Sequence, residues 1–234
     1  MEGMDFMNEE KSSVKEETSV KKEEKKKKTV LGEIWEWVYT IVIAVAIAVV
    51  IKGFLFDIVK VDGKSMFPTL EHNDRLIITK LGYKPDNGDI VILDSAYKNR
   101  TEYYDDIAED KGKEHLNVFE KFVKYFSLPS NLKHRYYVKR VIATPGQTLD
   151  IKNGKVYVDG EELNEEYYDG ETIAYDSSVS YPVTVDEGFV FVMGDNRNHS
   201  KDSRDSSLGQ VPFEAVIGKS QLRVFPFTTI GLTE

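Results

Sequence analysis

Apolar and polar positions divide the 234-residue chain into three regions. Residues 1–33 are crowded with Lys and Glu and hold few apolar side chains, residues 34–56 are almost entirely apolar, and residues 57–234 alternate short apolar runs with polar turns. A segment as polar as the first buries too little apolar surface to offset the entropy lost on ordering. The pattern therefore predicts a disordered tail, one membrane-spanning helix and a folded domain.

The apolar run Ile34–Phe56 has the length of a helix that crosses a bilayer with some tilt. Residues 37–51 carry no charge, whereas a helix lying in the membrane surface would show a polar face. A cleavable leader would begin near residue 1 and be shorter. Six lysines between residues 21 and 28 precede the run, and lysines favour the cytoplasmic side. We therefore expect an inside N terminus and residues 57–234 on the outer face of the cell membrane.

Strand patterns dominate the third region and predict a mainly β domain. Short runs of β-branched and aromatic residues end at Gly, Asp, Asn or Pro, as strands do. Asn153-Gly154 supplies the positive φ angles of a tight turn between two such runs, which predicts a hairpin. The predicted strands lie at residues 58–61, 75–78, 89–93, 136–142, 149–151, 155–158 and 189–193.

Residues 96–135 break the strand pattern and are predicted to form an insertion between two strands. Within them, five apolar residues recur at helical spacing before Pro129, which predicts a helix near residues 113–126. We expect the aromatic residues of this helix to pack on the domain rather than to contact lipid. The five are Leu116, Phe119, Phe122, Val123 and Phe126.

Composition excludes several classes of function. The absence of cysteine excludes disulfides, zinc–thiolate sites and a cysteine nucleophile. The formal net charge is −9, and residues 57–234 carry 22 Lys and Arg against 30 Asp and Glu. A nucleic-acid-binding domain would instead present a basic face. Because no cluster of residues has the spacing of metal ligands, we expect no metal and no other cofactor.

Three polar features could carry chemistry. Ser65 follows a predicted strand and, by itself, is an ordinary turn serine. Lys139 lies within an apolar strand, where a lysine usually extends to solvent unless its amine is needed inside. Residues 194–204 form a dense polar loop whose spacing does not fit a calcium loop. Taken singly, each feature has a structural explanation.

Together and in this order, the features resemble the bacterial type I signal peptidases, membrane-anchored Ser/Lys proteases that remove signal peptides from secreted proteins. The resemblance covers the apolar span and most of residues 57–225. It implies a mainly β catalytic domain, a β-barrel or sheet of the signal-peptidase type, behind an N-terminal transmembrane helix. Four motifs carry it: Ser65-Met66-x-Pro68-Thr69-Leu70, Gly88-Asp89-Ile90-Val91, Tyr137-Val138-Lys139-Arg140, and Gly194-Asp195-Asn196-Arg197 with Ser200-x-Asp202-Ser203-Arg204.

The resemblance also implies a serine endopeptidase in which single residues have defined roles. Ser65 matches the nucleophile, and Lys139 matches the general base. Ser200 matches a hydroxyl that orients the lysine. Asp202 and Arg204 match a charged pair that braces the loop. The enzyme would act as a monomer on signal peptides in the membrane.

Other positions follow from the same resemblance. The Ser65 backbone N–H would face the oxyanion. In some family members, a serine two residues before the nucleophile supplies a second hydrogen-bond donor to the oxyanion. This chain has Gly63 at that position, so the resemblance does not identify its second donor. His199 stands where many members have Asn. Small residues at −1 and −3 of the signal peptide would bind against Val59, Val61, Met66, Leu76, Val91, Tyr137 and Val138.

Two other classes of protein remain open. One is a processing peptidase specialised for a single substrate, such as a pilin or a spore-coat component. The other is an inactive membrane-anchored interaction protein on the same fold, although Ser65 and Lys139 are both present. A self-cleaving Ser/Lys repressor is disfavoured because the N terminus holds a charged tail and an apolar span instead of a DNA-binding module.

Overall fold

The computed structural model describes residues 30–233, except for the side chains of residues 30–33, 53 and 54. The predicted disordered tail therefore lies outside the described residues as far as residue 29. The chain divides after Ile47 into two units; the described part of the first, residues 30–47, is helical, and the second is mainly β. Helix α1 (Val30–Val50) continues into a π-helical stretch at Ile51–Leu55.

Helix α1 covers most of the predicted membrane span, and its side chains at residues 34–50 are exposed. Among the described residues, no helix combines the length and the apolar character needed to cross a bilayer. Two predicted boundaries are wrong. The helix begins at Val30 rather than at Ile34, and Phe56 belongs to a strand, where it pairs with Thr79.

The second unit confirms the prediction of a mainly β domain, and each of the seven predicted strands is observed. The sequence left a barrel or a sheet open, and the described strands form two antiparallel sheets. In chain order the strands are β1 (Phe56–Lys60), β2 (Arg75–Thr79), β3 (Ile90–Asp94), β4 (Tyr136–Ala143), β5 (Thr148–Lys152), β6 (Lys155–Val158), β7 (Glu161–Glu162), β8 (Val183–Thr184), β9 (Phe189–Met193), β10 (Val211–Pro212), β11 (Val216–Phe225) and β12 (Gly231–Leu232).

The larger sheet has the order β1-β2-β11-β3-β4-β9-β10, with β12 paired to β11. The smaller sheet has the order β7-β6-β5-β8. Its β5–β6 hairpin turns at Asn153 and Gly154, whose φ angles of 51° and 78° confirm the predicted tight turn. Strands β1, β3 and β4 of the larger sheet flank the residues considered below.

Strand β11 was not predicted, although it lies between β2 and β3 in the larger sheet. Its sequence, Val-Ile-Gly-Lys-Ser-Gln-Leu-Arg-Val-Phe, lacks a clean alternation of apolar and polar residues. Its pairing also shifts register at several points. Because the strand is half-buried and bulged, a period of two does not reveal it.

The insertion holds two helices rather than one. Helix α2 (Tyr97–Asp110) was missed because its buried stripe includes a charged residue, Arg100, which pairs with the buried Asp94 at the end of β3. Helix α3 (Val118–Phe126) begins later than predicted. Asn117 accepts from Glu120 N–H and the Glu120 side chain accepts from Asn117 N–H, and this capping box sets the start of α3.

The apolar residues of the predicted helix do not share one environment. Leu116 is buried against α2. The expectation that Phe119, Phe122 and Phe126 pack on the domain is wrong, because they are 73%, 60% and 69% exposed. The face that helical spacing predicted is therefore present but points outward.

Candidate active site

Ser65 lies on the loop between β1 and β2, and the core holds this loop from two sides. Backbone hydrogen bonds between Val61 and residues 73–74 close the base of the loop. After Ser65 in the chain, the side chains of Met66 and Leu70 are each only 1% exposed and pack in the core of the larger sheet. The sequence folds in this way because two large apolar side chains follow the serine and can be buried only if the loop turns inward.

Lys139 lies in the middle of β4 and is only 3% exposed. Its Nζ donates to the Val138 carbonyl at 3.0 Å and stands 5.2 Å from the centre of the Tyr137 ring. The side chain is buried rather than extended to solvent. Lysines in apolar strands usually extend to solvent, and Lys139 does not.

The structure brings Lys139 Nζ to 2.9 Å from Ser65 Oγ, although 74 positions separate the two residues in the chain. Burial lowers the pKa of Lys139 from its usual 10.5 to about 8, because an ammonium loses its hydration inside the protein. The carboxylates of Asp202 and Asp195 partly oppose this change, and Arg204 reinforces it. A hydroxyl thus lies within hydrogen-bonding distance of an amine that is easily deprotonated.

The polar loop 194–204 clamps the backbone beside Ser65. Asn196 N–H donates to the Ser65 carbonyl at 3.0 Å, and its Nδ2 donates to the Lys64 carbonyl at 3.1 Å. Gly194 lies so close that a Cβ there would stand 2.4 Å from the Ser65 carbonyl oxygen and 2.2 Å from Ser200 Oγ. Only glycine permits this approach. The sequence analysis included Asn196 in a motif but did not predict that it would donate to the backbone beside Ser65.

Ser200 does not make the hydrogen bond that the sequence predicts. Its Oγ is buried, and within the described residues it has no hydrogen-bond partner. The hydroxyl lies against Gly194. A buried hydroxyl without a hydrogen-bond partner lowers the stability of the folded protein. A serine with a purely structural role would usually have such a partner.

The expected pair of Asp202 and Arg204 is observed. Both side chains are fully buried, and Arg204 Nε and Nη2 donate to the two Asp202 carboxylate oxygens at 2.9 Å. Asp202 Oδ2, which accepts Arg204 Nη2, also accepts Gly194 N–H at 3.0 Å. The pair therefore braces the start of the loop, as predicted.

Two further buried ion pairs were not predicted. Arg140 makes a bidentate pair with Asp195, and the same carboxylate accepts the Thr69 hydroxyl. This chain of contacts ties β4 to the loop that carries Ser65. Arg197 pairs with Glu165, which lies outside every motif and gave no signal in the sequence.

A cavity of about 260 Å³ opens beside Ser65 and Lys139. Val59, Val61, Tyr137 and Val138, four of the seven residues expected to contact substrate, line it. The other three lie in the apolar core instead, where they are at most 1% exposed, and they do not line this cavity. These three are Met66, Leu76 and Val91.

Two polar groups at the cavity bear on alternative mechanisms. His199 lines the cavity, is exposed, and has Nδ1 3.1 Å from Asn196 Oδ1. Gly63 N–H, the position of the uncertain second oxyanion donor, donates to His72 Nδ1 at 3.2 Å. The Gly63 N–H is thus already engaged.

Among the described residues, no group of three or more His, Asp or Glu side chains is arranged to hold a metal ion. The site itself supplies the Ser65 hydroxyl, the Lys139 amine and backbone N–H groups. A hydroxyl next to a desolvated amine can attack a carbonyl carbon once the amine removes its proton.

Comparison with known proteins gives a consistent result. The family model described as "Signal peptidase, peptidase S26" matches residues 34–225. A protein named signal peptidase I from Bacillus licheniformis is 34% identical over 210 residues, covering 86% of this chain and 94% of its own. Another from Bacillus amyloliquefaciens is 33% identical over 86% of this chain and 90% of its own. Signal peptidase I T from Bacillus subtilis strain 168 is 32% identical over 97% of this chain and 100% of its own.

Proposed function

This chain belongs to the signal peptidase family, peptidase S26, and we propose that it is a signal peptidase I that cleaves signal peptides from exported preproteins after small residues. The observation that carries the proposal is the 2.9 Å contact between Ser65 Oγ and the buried Lys139 Nζ. An inactive relative would have no reason to retain a buried lysine at this cost in hydration.

In the proposed mechanism, Ser65 Oγ attacks the scissile carbonyl carbon while its proton passes to the neutral Lys139 amine. The oxyanion forms next to the Ser65 backbone N–H. The Lys139 ammonium then protonates the departing amine and becomes neutral again. Lys139 next takes a proton from water as the water oxygen attacks the carbonyl carbon of the acyl-enzyme. The Lys139 ammonium then gives this proton to Ser65 Oγ as the ester bond breaks, which restores both residues and releases the acid.

The lowered pKa of Lys139 supports this role. With a pKa of about 8, roughly one tenth of the lysines are neutral at pH 7, whereas an ordinary lysine would be almost completely protonated. The buried Ser200 hydroxyl stands near the same site without a partner. We propose that it accepts a hydrogen bond from the Lys139 amine as the side chain adjusts during the reaction, and so orients it.

The specificity follows from the size of the cavity. Val59, Val61 and Val138 present aliphatic walls close to Ser65, and such walls fit small side chains. A substrate with Phe in place of Ala at −1 should overpack the site by about 1–3 kcal/mol, so its kcat/KM should fall. Equal cleavage of the two substrates would contradict a small pocket.

The test of the dyad uses the full chain and a preprotein with Ala at −1 and −3. We expect Ser65→Ala, Lys139→Ala and Lys139→Arg each to abolish cleavage, because a guanidinium stays protonated and cannot act as the base. Ser200→Ala should be impaired but measurable. Ser130→Ala and Lys152→Ala replace the same residue types at exposed positions and should retain the wild-type rate. Full activity of Lys139→Ala would exclude this mechanism.

We also propose that the chain is a single-pass protein of the cell membrane, acting as a monomer with its N terminus inside. The apolar run in the sequence at residues 34–56 and the lysines before it support this assignment. The exposure of the apolar side chains at residues 34–50 does so too, because such a surface is stable only when something apolar covers it.

A further inference from the structure

Residues 164–176 run between β7 and β8 without regular secondary structure and lie against the polar loop 194–204. None of the four motifs includes this segment. Its side chains contact two buried arginines beside the active site, Arg140 and Arg197, which are 4% and 1% exposed. A buried guanidinium must be paired, because its charge loses hydration inside the protein. The segment therefore helps to hold the residues around the active site.

Arg197 takes its countercharge from this segment rather than from its own loop. Its Nη1 donates to Glu165 Oε2 at 3.1 Å and to the Thr172 hydroxyl at 2.7 Å, and its Nη2 donates to Glu165 Oε1. The Glu165 side chain is only 10% exposed, so solvent screens this pair weakly. The carboxylates that pair with the two other arginines of the site, Asp195 and Asp202, belong to the loop itself.

Tyr167 joins Glu165 to the strand that carries Lys139. Its hydroxyl donates to Glu165 Oε1 at 2.9 Å, which fixes the direction of the carboxylate. Arg140 follows Lys139 in β4, and its Cζ lies 4.1 Å from the centre of the Tyr167 ring. Burial raises the pKa of Tyr167, so its hydroxyl stays protonated and remains a donor. One side chain thus contacts both the arginine of β4 and the carboxylate that pairs with Arg197.

These contacts end at the backbone next to Ser65. Arg197 Nε donates to the Gly194 carbonyl at 3.0 Å. Gly194 is the residue at which an added Cβ would collide with the Ser65 carbonyl oxygen and with Ser200 Oγ. Because there is no spare room at this point, a shift of Gly194 must move one or both serines. A misplacement of about 1 Å in an active site can lower the rate about 100-fold.

We propose that Glu165 and Tyr167 are positioning residues of the peptidase. Through Arg197 they fix the place of Gly194, and so they keep Ser65 at the distance from the lysine that proton transfer requires. They touch no reacting atom and act on the rate only through other side chains. This role rests on the proposed function, and it assigns part of the geometry of the site to a segment outside the four motifs.

Steady-state kinetics of the full chain on a preprotein with Ala at −1 and −3 test this role. We expect Glu165→Leu and Tyr167→Leu to lower kcat by roughly 10- to 100-fold with KM unchanged, because neither residue lines the cavity beside the serine. Tyr167→Phe keeps the ring next to Arg140 and loses only the hydroxyl, so its kcat should fall less than that of Tyr167→Leu. Glu166→Leu, at the exposed neighbouring position, is the matched control and should keep the wild-type kcat.

A double variant separates positioning from a contribution to stability alone. Glu165→Leu leaves the Arg197 guanidinium buried without its carboxylate and should lower Tm. Adding Arg197→Met removes this charge and should restore Tm, since an apolar pair can replace a buried ion pair. The kcat of the double variant should stay low, because the hydrogen bond from Arg197 to the Gly194 carbonyl is lost. Recovery of kcat together with Tm would overturn the proposal, since the pair would then serve stability only.

Amide hydrogen exchange reports on the loop without relying on catalysis. The N–H groups of Gly194 and Asn196 donate to Asp202 Oδ2 and to the Ser65 carbonyl. Exchange at both should be about 10-fold faster or more in Glu165→Leu than in the wild type, with β4 unchanged. Exchange equal to the wild type, or a wild-type kcat in Glu165→Leu, would overturn the proposal. A wild-type chain that leaves the preprotein uncut would contradict the proposed function alone, since faster exchange in Glu165→Leu would still show that Glu165 holds the loop.

Discussion

At the scale of single residues, burial of Lys139 links activity to a cost in stability. The amine lies in a strand where an ammonium is poorly hydrated, and its pKa falls to about 8 for this reason. The same shift should be visible in two independent measurements, one of rate and one of unfolding.

The first prediction is a rate of cleavage that rises with pH through an apparent pKa of about 8 in kcat/KM. The reason is that only the neutral amine can take the Ser65 proton. Initial rates on a short peptide between pH 5 and 10 would measure it. An inflection near the usual pKa of histidine, about 6.5, together with loss of activity in His199→Ala, would identify His199 as the base instead.

The second prediction concerns stability, and its sign follows from proton binding. Below pH 8 the lysine is protonated in both states, so the folded protein holds a buried charge. Between pH 8 and 10.5 the folded state has lost the proton while the unfolded state keeps it, so stability rises with pH. Lys139→Met removes the charge and should raise the free energy of unfolding by up to about 3 kcal/mol below pH 8.

This stabilisation should shrink as the pH rises toward 10.5. Urea unfolding of the wild type and of Lys139→Met at several pH values, in the same detergent, would measure the difference. Lys152→Met, at an exposed lysine, is the control and should show no such pH dependence. A constant difference between Lys139→Met and the wild type at all pH values would show that burial does not lower the pKa.

At the scale of elements, β4 supplies two adjacent residues with separate tasks. Lys139 reaches Ser65, and the next residue, Arg140, holds Asp195. Successive side chains of a strand point to opposite faces, so one strand can provide the amine and also brace the neighbouring loop. Through Thr69 the Asp195 carboxylate contacts the loop that carries Ser65. The separation of Ser65 and Lys139 therefore depends on the register of β4.

The third prediction tests how closely β11 approaches β2. A Cβ at Gly218 would stand 2.2 Å from the Thr79 carbonyl oxygen, which is backbone and cannot move freely. Gly218→Ala should therefore lower the free energy of unfolding by about 1–3 kcal/mol. Gly231→Ala, in β12, has nothing within 4 Å of the added methyl and should be near neutral. Equal Tm values for the two variants would contradict the close approach.

At the scale of the whole molecule, the proposed membrane orientation makes the fourth prediction. External protease added to intact cells or spheroplasts should digest the part of the chain beyond about residue 57 and spare the N-terminal tail, because the lysines before α1 favour the inside. Epitope tags at the two ends would report the outcome. Protection of the C-terminal tag and digestion of the N-terminal one would reverse the orientation.

The sequence by itself determined the local features. Short runs of β-branched and aromatic residues predicted seven strands, and Asn153-Gly154 predicted a turn, because both depend on neighbours within a few positions. Four motifs were enough to assign the family. The helical period of α3 was also present in the sequence, but a period reports only that one face is apolar, not whether that face lies against the domain.

Only the tertiary structure decided what depends on distant contacts. The 2.9 Å approach of Ser65 and Lys139 requires β4 and the loop after β1 to meet, and the pKa of Lys139 reflects desolvation by everything packed around it. Strand β11 was invisible because its place between β2 and β3 comes from pairing rather than from its own pattern. The unpartnered Ser200 hydroxyl and the outward face of α3 belong to the same class, since burial is a property of the whole fold and not of a segment.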